Sequence, residues 1–333
     1  MRIFLDSGIR IQQNGQLLAI DSKNSKKKAD AVLISHAHSD HYSTGKQPAL
    51  TTPETLALIQ NNRPSFNGCK TISLHHKKKL GKSTVCFHNA GHILGSGLVH
   101  VESEKNILVT SDFNPVESIL FSAAQPMPCD VLVIETTFGL PQYSFPDREK
   151  VHEEMGNWIK QNVKHKRFVV LAGYATGKAQ ELTKICNEFA NEIPLVHEKV
   201  FSTNKVYEKF GKKLGKYIEL NHNLQDGNVL IMPPSLFDKN LIPALEFALH
   251  KKIVSAFASG WGHRSGFDKV FPLSDHADYN GLLKFVKQCE PKQVYSIHGF
   301  AREFAHAVQR KLKIPARALG EKNQQALTEF GFG

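Results

Sequence analysis

Ser35-His36-Ala37-His38-Ser39-Asp40-His41 places three imidazoles and a carboxylate directly behind an apolar run that starts at Ala31. A packed core has no use for such a segment. Neutral imidazole and carboxylate are the usual ligands of zinc-like cations, and alternate positions in a tight loop can aim them at two neighbouring ions. Two later residues supply donors that one loop leaves short. These are His92 in Gly91-His92-Ile93-Leu94-Gly95, where glycines let the backbone turn, and Asp112 in Thr110-Ser111-Asp112-Phe113. By contrast, His75-His76 followed by three lysines reads as a surface loop.

On either side of this stretch, runs rich in β-branched residues predict buried strands at 31–34, 107–109, 131–134, 168–171, 229–232, 253–256 and 294–297. Helical patterns lie between many of them, at 148–161, 178–190, 279–288 and 301–312. Another helix is expected to begin at Thr51, which has capping-box spacing to Glu54, with Pro53 in the first turn. The alternation indicates an α/β architecture. Polar residues follow the carboxyl ends of the strands: His36 to His41, Asp112, Glu135 and His298. In open α/β sheets that edge binds ligands, so one shared site is expected. A stretch rich in Pro and aromatics, Gly139 to Asp147, precedes a middle region poorer in candidate groups, and Asp275-His276 resume the pattern. The middle therefore reads as an insertion into the first domain.

At 333 residues, with 41% hydrophobic and 22% charged, the chain has the make-up of a soluble globular protein of about two domains. A formal net charge of +11 suits a polyanionic partner such as nucleic acid. The five cysteines include no C-x-x-C pair, which excludes a disulfide scaffold and a zinc ribbon and fits a reducing, cytoplasmic setting. No apolar run reaches the roughly 20 residues of a membrane span, and Asp6 interrupts the opening where a signal peptide would stay apolar. A membrane partner is not expected.

The order HxHxDH, then His, then Asp resembles the metallo-β-lactamase superfamily. That resemblance implies a four-layer αββα fold in which His36, His38 and His92 hold one metal, Asp40 and His41 serve the second, and Asp112 bridges them. Asp6, in Leu5-Asp6-Ser7-Gly8, matches the family's first-motif aspartate and would support a ligand loop from behind; a turn-capping role is the alternative. Three further segments resemble the motifs of the β-CASP branch of nucleases: Glu135-Thr136-Thr137-Phe138-Gly139, Ser274-Asp275-His276-Ala277-Asp278 and Ile297-His298-Gly299. The segment Tyr174 to Leu182 is similar to a strand-to-helix segment of the branch's inserted domain. It is not a P-loop, because Gly173 to Lys178 is one residue short and Ala179 replaces the Ser or Thr. The resemblance divides the chain into a metallo-β-lactamase domain in two parts, 1–140 and 271–333, around a β-CASP domain at 141–270.

Within the branch the chain resembles the ligase-associated, Artemis-like DNA exonucleases. Many relatives have Gly where this chain has Ser111. The resemblance makes His298 a ligand of the second metal and His276, oriented by Glu135, the general acid, with Asp112 also counted as catalytic. It implies two divalent ions, zinc first, with manganese or magnesium usable in activity. The expected function is a metal-dependent nuclease, preferred as a DNA exonuclease in end processing or repair with a DNA ligase or helicase as partner. Since His298 is also the residue of ribonuclease J-type enzymes, an RNA-processing nuclease is the first alternative. A small-molecule hydrolase and an inactive nucleic-acid-binding subunit follow. Lys205, Lys209, Lys212, Lys213 and Lys216, interleaved with Tyr207, Phe210 and Tyr217, form a candidate strand-tracking face, or else a solvated helix face with its aromatics buried.

Overall fold

Alternation along the strands decides which residues face which layer. In the computed structural model, which describes residues 1–23, 28–43, 49–221, 224–262 and 266–320, Val85, Phe87, Val99, Val101, Ile107 and Val109 face one way. They meet Ile9, Ile11, Leu18, Ile20 and Leu33 of a second sheet in a shared core. The intervening Leu98, Leu108, Leu132 and Ile134 pack on Leu282, Phe285, Phe304 and Val308 of the helices Tyr279–Cys289 and Ala301–Leu312. Asn106–Val109 and Val131–Glu135, covered on both faces, read as continuous apolar runs in the sequence.

Among the described residues these strands form two sheets. The first runs in the order Arg2–Leu5, Ile9–Gln13, Gln16–Ile20, Ala31–Leu33, Ala49–Thr51, Cys69–Thr71. The second runs Ala316–Ala318, Gln293–Ile297, Val131–Glu135, Asn106–Val109, Gly97–Glu102, Ser83–Asn89, Lys77–Leu80. Val131–Glu135 is parallel to both its neighbours. Ser83–Asn89 and Asn106–Val109 are each antiparallel to the strand between them, so they too run alike. The carboxyl ends leading to His92, Asp112, Glu135 and His298 therefore share one edge.

The two sheets belong to one compact unit, Met1–Glu117 with Ser122–Ser144 and His276–Gly333; the other comprises Ser118–Phe121 and Phe145–Asp275. The second unit carries an all-parallel sheet ordered Ile218–Glu219, Leu195–Val196, Val229–Met232, Phe168–Ala172, Ile253–Ala258, Lys269–Phe271. One of its faces packs on the helices Arg148–Lys164 and Lys178–Ile185, the other on Leu241–Leu249. Lys178 does not extend from a phosphate-binding loop; its ammonium is buried on Glu181 and Asp275. No helix among the described residues is long and apolar enough to cross a membrane.

Two local expectations change. The first helix spans Pro53–Asn62 and is capped by Thr52, whose hydroxyl accepts from the Thr55 N–H. Thr51 instead ends a strand, with its hydroxyl donating to the Ile34 carbonyl. The helix expected through 190 stops at Ile185, and Cys186–Ala190 forms a π-helical turn ending on left-handed Asn191. That turn presses Phe189 against Gly156, where an added Cβ would lie 2.5 Å from the Phe189 Cβ and 2.6 Å from its carbonyl oxygen. Gly156→Ala should lower unfolding stability by about 1–3 kcal/mol, read as a lower urea midpoint at unchanged slope.

Candidate metal centre

Four donor atoms come together where these strands end. His36 Nε2 lies 3.2 Å and His92 Nε2 3.1 Å from His38 Nδ1. Asp112 Oδ2 lies 3.5 Å from His36 Nε2 and 3.9 Å from His92 Nε2. Bonds of about 2.0–2.1 Å to a tetrahedral zinc ion place its ligands about 3.3–3.4 Å apart. The observed separations bracket that edge. His36 is fully buried, and burial with the neighbouring imidazoles of His41, His38, His92 and His276 pushes its pKa well below the ordinary range. It is neutral, the form a metal accepts. Its Nδ1 is 2.9 Å from the Ser35 hydroxyl, which itself donates to Asp21. Nδ1 therefore carries the hydrogen and Nε2 the lone pair.

A second group adjoins the first. His41 Nε2 is 3.5 Å from Asp112 Oδ2 and 3.6 Å from Asp40 Oδ2. One oxygen of Asp112 is thus equally near a nitrogen of His36 and of His41. His298 lies on the exposed side, its ring centre 6.1 Å from that of His41. Burial lowers the His41 pKa, but Asp112 and Asp21 outweigh it and hold it up at about 9. Loading a cation on Nε2 therefore releases a proton. The donor set fits a pair of divalent cations of the zinc class, and the arrangement is that of a metal-dependent hydrolase.

The carboxylate behind the ligand loop is Asp21, not Asp6. Asp21 follows the strand Gln16–Ile20 and accepts from the Ser35 N–H (2.8 Å), the Ser35 hydroxyl (2.7 Å), His41 Nδ1 (3.0 Å) and the Ser111 hydroxyl. These bonds occupy its oxygens, so it orients His41 from behind rather than ligating an ion. Burial opposes its ionisation, yet His41, Ser111 and Ser35 together hold its pKa below the ordinary value. Asp6 sits at the first hairpin, its N–H donating to the Gly8 carbonyl and its own carbonyl accepting from Arg10. The sequence signal for Asp21 was present: an apolar run 17–20 ending in Asp-Ser, the same edge rule that singled out Asp112. Ser111 has φ +46, a region that favours glycine. Its hydroxyl contact with Asp21 offsets that conformation.

Glu135 ends its strand fully buried, and its Oε1 is 2.9 Å from His276 Nδ1. Its Oε2 accepts from the Thr137 N–H at 2.8 Å. Burial raises the Glu135 pKa, but His276 and Thr137 prevail and the carboxyl stays below its ordinary value. The His276 ring centre is 4.8 Å from that of His92.

The basic stretch looks different from its linear pattern. The helix Glu198–Lys209 ends there, so Lys212, Lys213 and Lys216 lie beyond it. Tyr207 is fully buried. Lys205 pairs with Glu208 and lies over Phe201 and Tyr217, and Lys212 donates to the Leu120 carbonyl and lies over Phe121. Lys209 and Lys213 are exposed. Of the three aromatics only Tyr207 is buried; Phe210 and Tyr217 are half-buried.

Comparisons with known proteins agree with the site. The model of the Zn-dependent metallo-hydrolase RNA specificity domain matches residues 269–319. The chain is 32% identical over 310 residues to a "Probable DNA ligase" of Opitutus terrae, covering 89% of this chain and 29% of that protein. It is 25% identical over 390 residues to an "RNase J-like protein" of Methanocaldococcus jannaschii, covering 94% and 91% respectively. A "Transcription termination factor FttA" of Thermococcus kodakarensis is 28% identical over 232 residues, covering 57% of this chain and 36% of that protein. The matched metallo-hydrolase segment, the RNase J-like relative and the convergence of His36, His38, His92 and Asp112 together make the chain similar to the metallo-β-lactamase/β-CASP nucleases.

Proposed function

We propose that this protein is a metal-dependent nuclease that hydrolyses phosphodiester bonds, with RNA as the first substrate class. The observation that carries the reading is the Glu135–His276 pair beside the histidine cluster. Cleavage of a phosphodiester expels a poor, basic alkoxide that needs a proton, whereas the leaving groups of activated esters do not. When bound, a pair of divalent cations supplies the Lewis acidity that activates water and offsets charge during in-line displacement. His36, His38 and His92 would hold one ion and Asp40, His41 and His298 the other, with Asp112 available to both. Ionised Glu135 accepts from His276 Nδ1, favours the imidazolium and leaves Nε2 to deliver the proton as the bond from phosphorus to the alkoxide breaks.

Two observations support RNA: the matched RNA specificity segment and the RNase J-like relative that this chain covers almost end to end. The preference for DNA drawn from motif resemblance moves to second place. It retains one support, the 32% identity to part of a DNA ligase, which also favours a ligase as functional neighbour. The four-layer fold, the β-CASP identity of the inserted unit and a reducing cytoplasmic setting, to which five unpaired cysteines are suited, belong to the same reading.

His276→Ala should keep two equivalents of zinc while cleavage falls by about 10²-fold or more. Asp112→Ala should lose metal and cleavage together, and mass-spectrometric metal analysis of dialysed protein separates the two cases. An undiminished rate in His276→Ala would remove it as the acid. Asp21→Asn should weaken binding of the second cation about 10–100-fold, read by zinc titration against a chelating dye. Digestion of end-labelled RNA and DNA of the same sequence, single- and double-stranded, should favour RNA; turnover of DNA alone would reverse the order, and inertness on all of them would sink the nuclease reading.

A further inference from the structure

The two helices packed on the outer face of the second sheet, Tyr279–Cys289 and Ala301–Leu312, each bury one side and turn the other to solvent. Burial of Leu282, Phe285 and Val286 directs Lys284 and Lys287 outward. Burial of Phe304, Ala305 and Val308 does the same for Arg302, His306 and Arg310, a row at four-residue intervals that exposed Lys313 extends. Lys311 lies over the Tyr279 ring at 4.9 Å and ties one helix to the other.

Against these cations stand two exposed carboxylates, Glu290 and Glu303. Among the described residues, Lys284, Lys287, Arg302, Arg310 and Lys313 make no ion pair, whereas exposed Lys77, Lys205 and Lys292 are each held by a carboxylate. Like charges three residues apart, as in Lys284 with Lys287 and Arg310 with Lys313, oppose helix formation. The helix dipole favours a cation in the last turn but disfavours one in the first, where Arg302 stands. Helix stability therefore does not account for the row.

We propose that this face binds the sugar-phosphate backbone of single-stranded RNA, as a contact surface apart from the metal centre. Its charge is complementary to that polymer. Both helices belong to the first unit and start at the ligand edge, one three residues after His276 and the other three after His298. Arg302 thus stands at the end nearest the metal donors, and the row leads away from them over about 16 Å. Its steps of about 6 Å are close to the interval between successive phosphates of an extended strand. Cations placed in this way displace condensed counterions and hold a strand without regard to base sequence. The inference rests on the nucleic-acid reading, to which it adds a place where the polymer is held.

Fluorescence anisotropy with zinc-loaded full-length protein tests it, using labelled single-stranded phosphorothioate RNA of about 20 nucleotides, which keeps its charge and slows hydrolysis. In the triple variant Lys287→Gln, Arg302→Gln, Arg310→Gln the slope of log affinity against log KCl concentration should flatten by about 2, with binding about tenfold or more weaker near 100 mM salt. Removing the same charge from the second unit, by Lys160→Gln, Lys164→Gln and Lys166→Gln, should leave the slope within about 0.5 of wild type. An unchanged slope in the first variant, or equal flattening in both, would overturn the inference. On cleavable RNA the loss should fall on KM rather than kcat, and kcat on thymidine 5′-(p-nitrophenyl phosphate), too short to reach the row, should stay within about twofold. Should the triple variant fold poorly, Arg302→Gln alone should flatten the slope by about 0.7, and no change there counts against the face. Wild-type protein that binds RNA yet cleaves no nucleic acid would fail the nuclease reading, while the slopes still decide whether this face holds the strand.

Discussion

The buried carboxylate of Asp21 is the constraint on which the metal centre depends. It ties the Ser35 backbone and hydroxyl, the Nδ1 of His41 and the hydroxyl of Ser111, and so joins the end of one strand to two ligand loops. A buried ion is stable only when its lone pairs are satisfied, and here they are. Turning His41 by its rear nitrogen aims the other nitrogen at Asp112, and holding Ser111 in a left-handed conformation brings Asp112 within reach of both His36 and His41. The divalent cations need only complete a geometry that hydrogen bonds have already fixed.

Electrostatics divides the histidines by role. His36 is enclosed among other imidazoles and kept neutral, as a metal ligand must be. His276 has the buried carboxylate of Glu135 behind it, a neighbour that favours the imidazolium the proposed acid role requires. Distance along the chain is irrelevant to this division; what matters is whether a carboxylate or another imidazole lies behind the ring. The histidines at 75, 88 and 100 show the contrast. His75 and His88 approach to 3.3 Å, and burial beside His100 and His75 pushes His88 down to about 4. Among the described residues, however, they do not gather three metal donors at one point.

The fold was legible in those strands where burial on both sides leaves an uninterrupted apolar run. The strands 107–109, 131–134 and 294–297 could be read in this way. The opening hairpins, the strands Ser83–Asn89 and Gly97–Glu102, and with them Asp21, were harder to see. Their residues alternate with polar ones or end on a single Asp-Ser, which a turn explains equally well. Likewise a lysine repeat looks the same whether the intervening aromatics stack outward or, like Tyr207, disappear into a core.

The amino-acid sequence alone determined that metal chemistry would occur at the carboxyl ends of strands, since HxHxDH behind an apolar run has no packing use and leaves coordination short by a His and an Asp. Tertiary structure decided which aspartate stands behind the loop, that one oxygen of Asp112 lies equally near His36 and His41, and that Glu135 reaches His276. Those facts are separations between atoms tens to more than a hundred residues apart. Only the closing of the sheets sets such distances, because local propensity carries no record of which loops will meet.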